Sequence, residues 1–472
     1  GNFDRNTGSV VVPNAEALAL VPAAVRASLP HTPFVLAKDA GLPEALRQTD
    51  KNNVNPRLGV AWRPFADNRT VIRGGIGTYT VPLYGSINYS LVATVTSDVP
   101  VFFNQRTPGG FAITFPNVFP AALRSLPGLG SQDFRRANQF DLRDPRTTQW
   151  SLTLERDLGG NTGVRVSYIG NKTTDIIVSP DLNQIRPNTQ GYAALVNTRP
   201  FQDWNVVASR DNGAHSRYDG LQSEITRRFS KGFTLDASYT LARQLADAAG
   251  AVPGDFPAEN GPSLLNSFRG PDDDYGPMPF TRRHRFVGTF LYQLPFGRGR
   301  TFGGSMGRGL DLLAGGWDVA GVALLQSGPF LTPSFTSGDP SGTGANVRGF
   351  TSTTRPDQTG DGNLADPTVD RFFDRSAFVI PANNIGRFGN AAVGSLIGPK
   401  TKVFSMTVGK SVSLAGTSRL RFEAAFSNLF NTENLGLPNR SVQSAQFGLI
   451  TATQTVDQAA PRTVQFSLRY LF

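Results

Sequence analysis

From Arg462 to Phe472 the chain alternates apolar with mostly polar side chains. Val464, Phe466, Leu468, Tyr470 and Phe472 fall on one side of an extended strand, and Thr463, Gln465, Ser467 and Arg469 on the other. Residues 418–428 repeat the pattern, with Leu420, Phe422, Ala424 and Phe426 opposite Arg419, Arg421, Glu423 and Ser427. Residues 401–412 do so again and are expected to pair with 418–428 through the short Ser413-Leu414-Ala415-Gly416-Thr417. Upstream, strands 218–229 and 232–243 meet at Phe229-Ser230-Lys231-Gly232, and strands 147–158 and 162–170 at Leu158-Gly159-Gly160-Asn161-Thr162, a glycine-containing hairpin signal. Strands 57–66 and 69–80 meet at Asp67-Asn68, and 284–295 joins 316–327 through a looser Gly/Arg-rich turn, 296–315.

Between the hairpins the connections are long: 81–146, 171–217, 244–283, 328–400 and 429–461. In a compact soluble domain, structureless loops of that length would argue against the strands. Short turns on one side and long loops on the other are the pattern of a transmembrane β-barrel with its turns in the periplasm. The terminal aromatic residue points the same way, because the series Val464, Phe466, Leu468, Tyr470, Phe472 resembles the C-terminal assembly signal of outer-membrane barrels. The expected fold is all-β, an antiparallel transmembrane barrel portion of about eleven strands.

Composition narrows the reading. Mean hydropathy is -0.22, and no apolar stretch approaches the ~18 residues of a membrane-crossing helix. A barrel strand needs only about 9–11 residues and shows lipid every second one, so its bulk hydropathy looks ordinary. Cysteine is absent, which excludes disulfides, thiolate metal sites and a cysteine nucleophile. Lys+Arg exceeds Asp+Glu by 46 to 36, yet the densest basic cluster is Arg282-Arg283-His284-Arg285. The arginines are dispersed and no aromatic residues interleave with a basic stripe, so no nucleic-acid partner is expected. Dispersed charge of this sign suits a barrel lumen and a rim facing anionic lipopolysaccharide.

An odd strand count does not fit a bacterial barrel whose sheet ends both lie in the periplasm, which requires an even number. The expectation is therefore a C-terminal part of a larger barrel of roughly 22 strands, with 1–56 an outer loop segment and 57–472 the barrel. The opening Gly1-Asn2-Phe3-Asp4-Arg5 lacks a methionine, a charged n-region and an apolar h-region, and reads as that of a fragment or processed product.

The hairpins also carry a series of short motifs: Asn55-Pro56-Arg57-Leu58-Gly59 with Arg73-Gly74-Gly75-Ile76-Gly77, Gln149-Trp150-Ser151-Leu152, Tyr168-Ile169-Gly170-Asn171-Lys172, Tyr218-Asp219-Gly220-Leu221-Gln222 and Arg227-Arg228-Phe229-Ser230-Lys231-Gly232. Arg283-His284-Arg285-Phe286-Val287, Leu294-Pro295-Phe296-Gly297, Gly316-Trp317, Gln326-Ser327-Gly328-Pro329-Phe330 and Phe426-Ser427-Asn428-Leu429-Phe430-Asn431 follow in order. Together they resemble the TonB-dependent outer-membrane transporters, within them the Oar-like branch. The resemblance implies active uptake of an unidentified solute across the outer membrane of a Gram-negative-type envelope. It also implies contact with membrane lipid and lipopolysaccharide, insertion by the outer-membrane assembly machinery, and coupling to TonB through N-terminal parts that this sequence does not contain. A passive porin-like channel and a secreted β-rich adhesin are the alternatives.

Candidate lumen charges are Arg165, Glu224, Arg228, Asp236, Arg285, Asp318, Arg419, Arg421, Glu423 and Arg469, which either meet solute or pair across strands as a polar wall. Tyr168, Phe229, Tyr239, Tyr292 and Trp317, with Tyr470 and Phe472, are candidates for two aromatic girdles at the lipid boundaries. Asp357-Gln358-Thr359-Gly360-Asp361-Gly362-Asn363 starts like a calcium loop, but its twelfth position is Thr368 where a bidentate glutamate is required, so a plain turn is expected. Asp272-Asp273-Asp274 reads as an exposed acidic loop tip. His31, His215 and His284 have no metal-ligand or triad neighbour in sequence, and Gly303-Gly304-Ser305-Met306-Gly307 lacks the lysine of a phosphate loop. Asn88-Tyr89-Ser90 and Asn171-Lys172-Thr173 match the glycosylation pattern without meaning in a bacterial chain. No catalytic constellation and no cofactor are expected.

Overall fold

The computed structural model describes residues 1–83, 91, 106–107, 110–111, 133–247, 262–345, 354–414, 418–454 and 459–472. Its frame is a single antiparallel path of eleven strands, each paired with its predecessor in the chain. These are β1 (Arg57–Trp62), β2 (Thr70–Thr80), β3 (Arg146–Gly159), β4 (Thr162–Val178), β5 (Val206–Ser230), β6 (Phe233–Ala246), β7 (His284–Gln293), β8 (Trp317–Gln326), β9 (Thr401–Ser413), β10 (Arg419–Ser427) and β11 (Thr463–Leu471). Among the described residues the sheet is open, with β1 and β11 each paired on one side.

Two of the short turns show why the strands reverse where they do. Ser230 pairs with Phe233 and Gly159 with Thr162, which leaves Lys231-Gly232 and Gly160-Asn161 as two-residue loops. All four residues have positive φ, from 49° to 78°. That is the primed geometry whose twist matches the strands it joins, and it calls for Gly or Asn at most of these positions. The predicted turn at 413–417 falls mainly outside the described residues, as does Asn88-Tyr89-Ser90.

The stretches read as long loops are in large part built structure, and two strands reach further than alternation indicated. β4 continues from 170 to Val178 across an irregularity between Thr173 and Ile176, and β5 begins at Val206, twelve residues before its expected start. The reason lies in packing: Val206, Val207, Ala208, Ser209 and Arg210 are all buried, so this stretch covers both faces and has no apolar-polar alternation to read. Asp133–Asn138 lies parallel against it.

Residues 1–56 are likewise not a plain loop. Asn2–Phe3, Val10–Val12 and Phe34–Leu36 form a small sheet, and two short helices, Ala15–Ala19 and Ala23–Ala27, lie between its last two strands. The Asn14 side chain caps the first helix by accepting from the amide of Ala17 at 3.0 Å. Their apolar faces close over Phe134 and Trp204 into one cluster with Phe3, Val10, Val12, Val25, Leu29 and Val207. The Phe3, Phe134 and Trp204 rings meet edge-on or tilted at 5.2–6.3 Å. A second cluster, around Leu331, Phe373, Phe378, Leu396, Val442 and Phe447, organises the connections after β8 and β10. Both clusters lie at the long-loop end of the sheet, so the well-packed cores cap the strands and do not line them.

Candidate functional site

The register divides the sheet into two chemically distinct faces. Arg165 pairs with Glu224, Asp236 with Thr226 and Thr289, Arg285 with Thr240, Asp318 with Gly409, Gly409 with Glu423, and Arg421 with Arg469. Directly opposed residues share a face, and residues two apart along a strand return to it. All ten candidate lumen charges therefore occupy one side of the sheet. Tyr168, Phe229, Tyr239, Tyr292, Trp317, Val464, Phe466, Leu468 and Tyr470 occupy the other by the same registers.

The charged face is knit into two networks. Arg165 is ion-paired with Glu224, Arg73 with Glu155 at 3.2 Å, and the Thr226 hydroxyl donates to Asp236 at 3.0 Å. The second network spans four strands, β8 to β11. Arg421 on β10 donates to both carboxylate oxygens of Asp318 on β8, at 2.8 and 2.9 Å, and to Glu423 at 2.7 Å. Arg469 on β11 lies 3.5 Å from Glu423, to which Ser467 also donates at 3.1 Å.

The Asp318–Arg421 pair reaches over the intervening strand β9, at Gly409. A Cβ placed there would lie 2.6 Å from Arg421 Nη2 and 2.7 Å from Asp318 Oδ2. A larger residue there would have to push these two side-chain ends aside, so the glycine leaves room for the pair as it stands. Arg228, Arg285 and Arg419 have no ion-pair partner among the described residues. Near the short turns the charged face borders an open pocket of about 660 Å³, lined by Asn68, Arg69, Glu155, Arg165, Glu224 and Arg228 among others.

The opposite face leaves large apolar side chains uncovered: Leu58 is 75% exposed, Phe466 67%, Leu468 66% and Phe472 95%. A contiguous apolar surface of this kind requires an apolar medium or a partner. The candidate girdle residues fall at two levels of this face, with Phe290, Phe422 and Phe466 also on it between the strand ends. Phe229, Tyr292, Trp317, Tyr470 and Phe472 lie at the short-turn end, where Trp317 Nε1 donates to the carbonyl of Leu313 at 2.8 Å and Tyr470 stacks on Phe472. Tyr168 and Tyr239 lie six residues farther along β4 and β6 from the turns, or roughly 20 Å at strand rise. Their hydroxyls meet polar partners, Asp219 at 2.6 Å and His284 Nδ1 at 2.7 Å.

Residues 1–465 match the family described as the outer membrane beta barrel domain. The chain belongs to that family. Its place is therefore the Gram-negative outer membrane, and its strands are those of an outer-membrane barrel. No curated protein matches the sequence. Among solved structures the barrel chain is similar to the outer membrane transporter YddB of Escherichia coli, at 10% identity over 89% of this chain and 41% of that one, with a TM-score of 0.44. It is similar to FpvA of P. aeruginosa in complex with pyoverdine and iron, at 10% identity over 89% and 33% with a TM-score of 0.40. It is also similar to the siderophore receptor PiuA of Acinetobacter baumannii, at 10% identity over 87% and 35% with a TM-score of 0.39. The chain thus spans less than half the length of each.

At the outer end of this barrel sheet, pairs invisible in sequence come together. His31 Nδ1 lies 2.9 Å from Asp203 and His215 Nδ1 2.6 Å from Asp247, partners 172 and 32 residues away. Asp247 is fully buried, and burial pushes its carboxyl above the usual range. The Asp272-Asp273-Asp274 stretch is not a free acidic tip. Asp273 lies 3.2 Å from Arg269, and Asp274, its carboxyl pushed up by burial, binds the buried Arg355 at 2.6 Å. In the 357–363 turn, the Arg387 guanidinium grips Asp357 through two 2.7 Å bonds and holds its carboxyl below the usual range, while Asp361 accepts from the Asn363 amide at 2.9 Å. Asp357 and Asp361 are thus spent on turn geometry.

Proposed function

We propose that this chain works as the barrel part of a TonB-dependent transporter, its charged face turned to the lumen and its apolar face to lipid. The supporting observation is that the ten charged candidates share one face of the eleven-strand sheet while its large exposed apolar side chains, Leu58, Phe466 and Leu468 among them, stand on the other. The candidate girdle residues at the two levels, Phe229, Tyr292, Trp317 and Tyr470 at one and Tyr168 and Tyr239 at the other, mark the boundaries of the hydrocarbon layer, and the series ending at Phe472 serves as the assembly signal read by the outer-membrane insertion machinery. Passage of a polar, unidentified solute along the wall follows, with Arg228, Arg285 and Arg419 available to anionic groups. Energy reaches the whole protein through its contact with TonB.

Uptake measured in cells carrying the full-length gene tests this. Loss of accumulation on deleting TonB, with barrel abundance unchanged, is the expected result. Uptake indifferent to TonB, together with ion conductance in planar bilayers, establishes a passive porin-like channel in its place. Recovery of the protein from the medium without detergent establishes a secreted protein.

A further inference from the structure

The two ends of the sheet treat charge differently. At the long-loop end arginines are tied to aspartates: Arg5 to Asp211, Arg269 to Asp273, Arg355 to Asp274, Arg371 to Asp374 and Arg387 to Asp357, each within 3.4 Å. The short turns, 63–69, 160–161, 231–232, 294–316 and 414–418, instead hold six cations, Arg63, Arg69, Lys231, Arg298, Arg300 and Arg308, against two carboxylates, Asp67 and Asp311. Both carboxylates are already engaged. Asp67 accepts from the amide of Arg69 at 3.1 Å, and Asp311 from the amide of Arg298 at 2.7 Å. The six cations are exposed, and none forms an ion pair among the described residues.

The longest of these turns holds its charges on ordered backbone. The amides of Gly297 and Gly299 donate to the carbonyls of Phe302 and Gly304 at 3.0 and 3.1 Å, so the chain closes on itself around Arg298 and Arg300. The helix Arg308–Ala314 fastens this tip to the wall. Its Leu313 carbonyl accepts from Trp317 Nε1 at 2.8 Å and from Lys410 Nζ at 3.3 Å. Cations of one sign held in this way repel one another and build a positive field at the rim. An anionic partner relieves the first and is drawn by the second.

We propose that the short-turn rim docks on peptidoglycan, a glycan network whose peptide stems carry free carboxylates. The proposal rests on the membrane reading, which turns this end of the strands to the periplasm. Two observations choose the occupant. Arg69 borders the open pocket on the charged face, which lipid around the barrel does not reach. The cations are also spread from the turn before β2 to the turn before β8, six strand spacings or about 30 Å along the sheet. A flat polyanion beneath the rim meets all of them, and a single small anion does not. Contacts of this kind are weak one by one, gain by number and fade with ionic strength.

The test measures cosedimentation of the full-length protein, in mild detergent, with purified sacculi. Retention at low salt and release by about 0.5 M salt are expected, together with loss of retention on sacculi whose carboxylates have been amidated. Changing Arg298, Arg300 and Arg308 together to Gln is expected to lower the bound fraction about fivefold, and adding Arg69→Gln and Lys231→Gln to bring it to background. Lys172→Gln with Arg243→Gln, at exposed cations of the long-loop end, should leave it unchanged. Heat-modifiable migration verifies that each variant is folded. No retention of the unaltered protein, unchanged retention of the folded five-residue variant, or equal retention on amidated sacculi overturns the docking. Displacement by phosphatidylglycerol vesicles overturns it too and assigns the rim to lipid. Failure of the unaltered protein to fractionate with the outer membrane overturns the membrane reading instead.

Discussion

The wall and the caps of this molecule solve different problems with the same chain. In the wall, each strand needs only its two neighbours, and side chains need only the correct side, so apolar groups stay exposed and few residues are buried. In the caps, Phe3, Phe134, Trp204, Phe335 and Phe373 are almost completely buried among segments far apart in sequence. The wall is stabilised by ladders and lipid, the caps by a conventional core, and the two should fail separately.

The largest expected break is at the end of the wall. Removing Phe472, or changing Tyr470 and Phe472 to Ala, should abolish accumulation in the outer membrane, read by fractionation and immunoblot, while normal abundance would refute the assembly role of this ending. Next is the cap. Trp204 is 1% exposed and donates to Thr32 at 3.1 Å, so Trp204→Ala should cost about 3–5 kcal/mol. The damage should appear as protease cleavage within 1–56 and 133–143 while heat-modifiable migration of the wall is retained. Loss of both would show that cap and wall form one cooperative unit.

A smaller effect is expected at Gly409→Ala, which separates Asp318 from Arg421. Breaking this partly buried pair should cost about 2 kcal/mol, seen as a lower temperature for the heat-modifiable transition, and Asp318→Asn should add little once the glycine is changed. The smallest is a pH effect in the second cap. The Asp357 carboxyl lies below its ordinary value, so its pairing with Arg387 stabilises the fold above about pH 4 and is lost as pH falls through that lowered value. Proteolysis of residues 354–397 should quicken only below about pH 4, and Arg387→Gln should reduce the difference between pH 3 and 5, at a cost under ~1 kcal/mol, with the remainder due to Asp361 and Asp374, whose carboxyls are also lowered by hydrogen bonds within the segment.

What could be read in the sequence follows the same division. Strands such as β10 and β11 obey period two because one side meets lipid and the other water, and that constraint is written at every residue. The outer half of β5 has no such constraint: Val206 to Arg210 are enclosed by Asp133–Asn138 and by residues 1–36, so burial erased the alternation. The sharing of faces by the ten charged residues could be deduced from local spacing, but the partnership of Asp318 with Arg421 could not. Gly409 in sequence is merely a glycine in a strand, and its reason lies in a pair formed by the strands on either side of it. The His31–Asp203 pair was hidden for the same reason, since it joins segments that only the cap brings together; His215–Asp247 merely continues the β5–β6 ladder beyond Ser216 and Ala246.

The link across Gly409 also sets how the sheet comes apart under load. Pulled from the C-terminus, β11 and then β10 would peel away one backbone hydrogen bond after another, at low and nearly constant force. Where Arg421 is reached, two bonds to a strand beyond the nearest neighbour are loaded side by side and must give way together. Single-molecule extraction should therefore show a discrete force peak within β10, and the Gly409→Ala protein should unzip through that point smoothly.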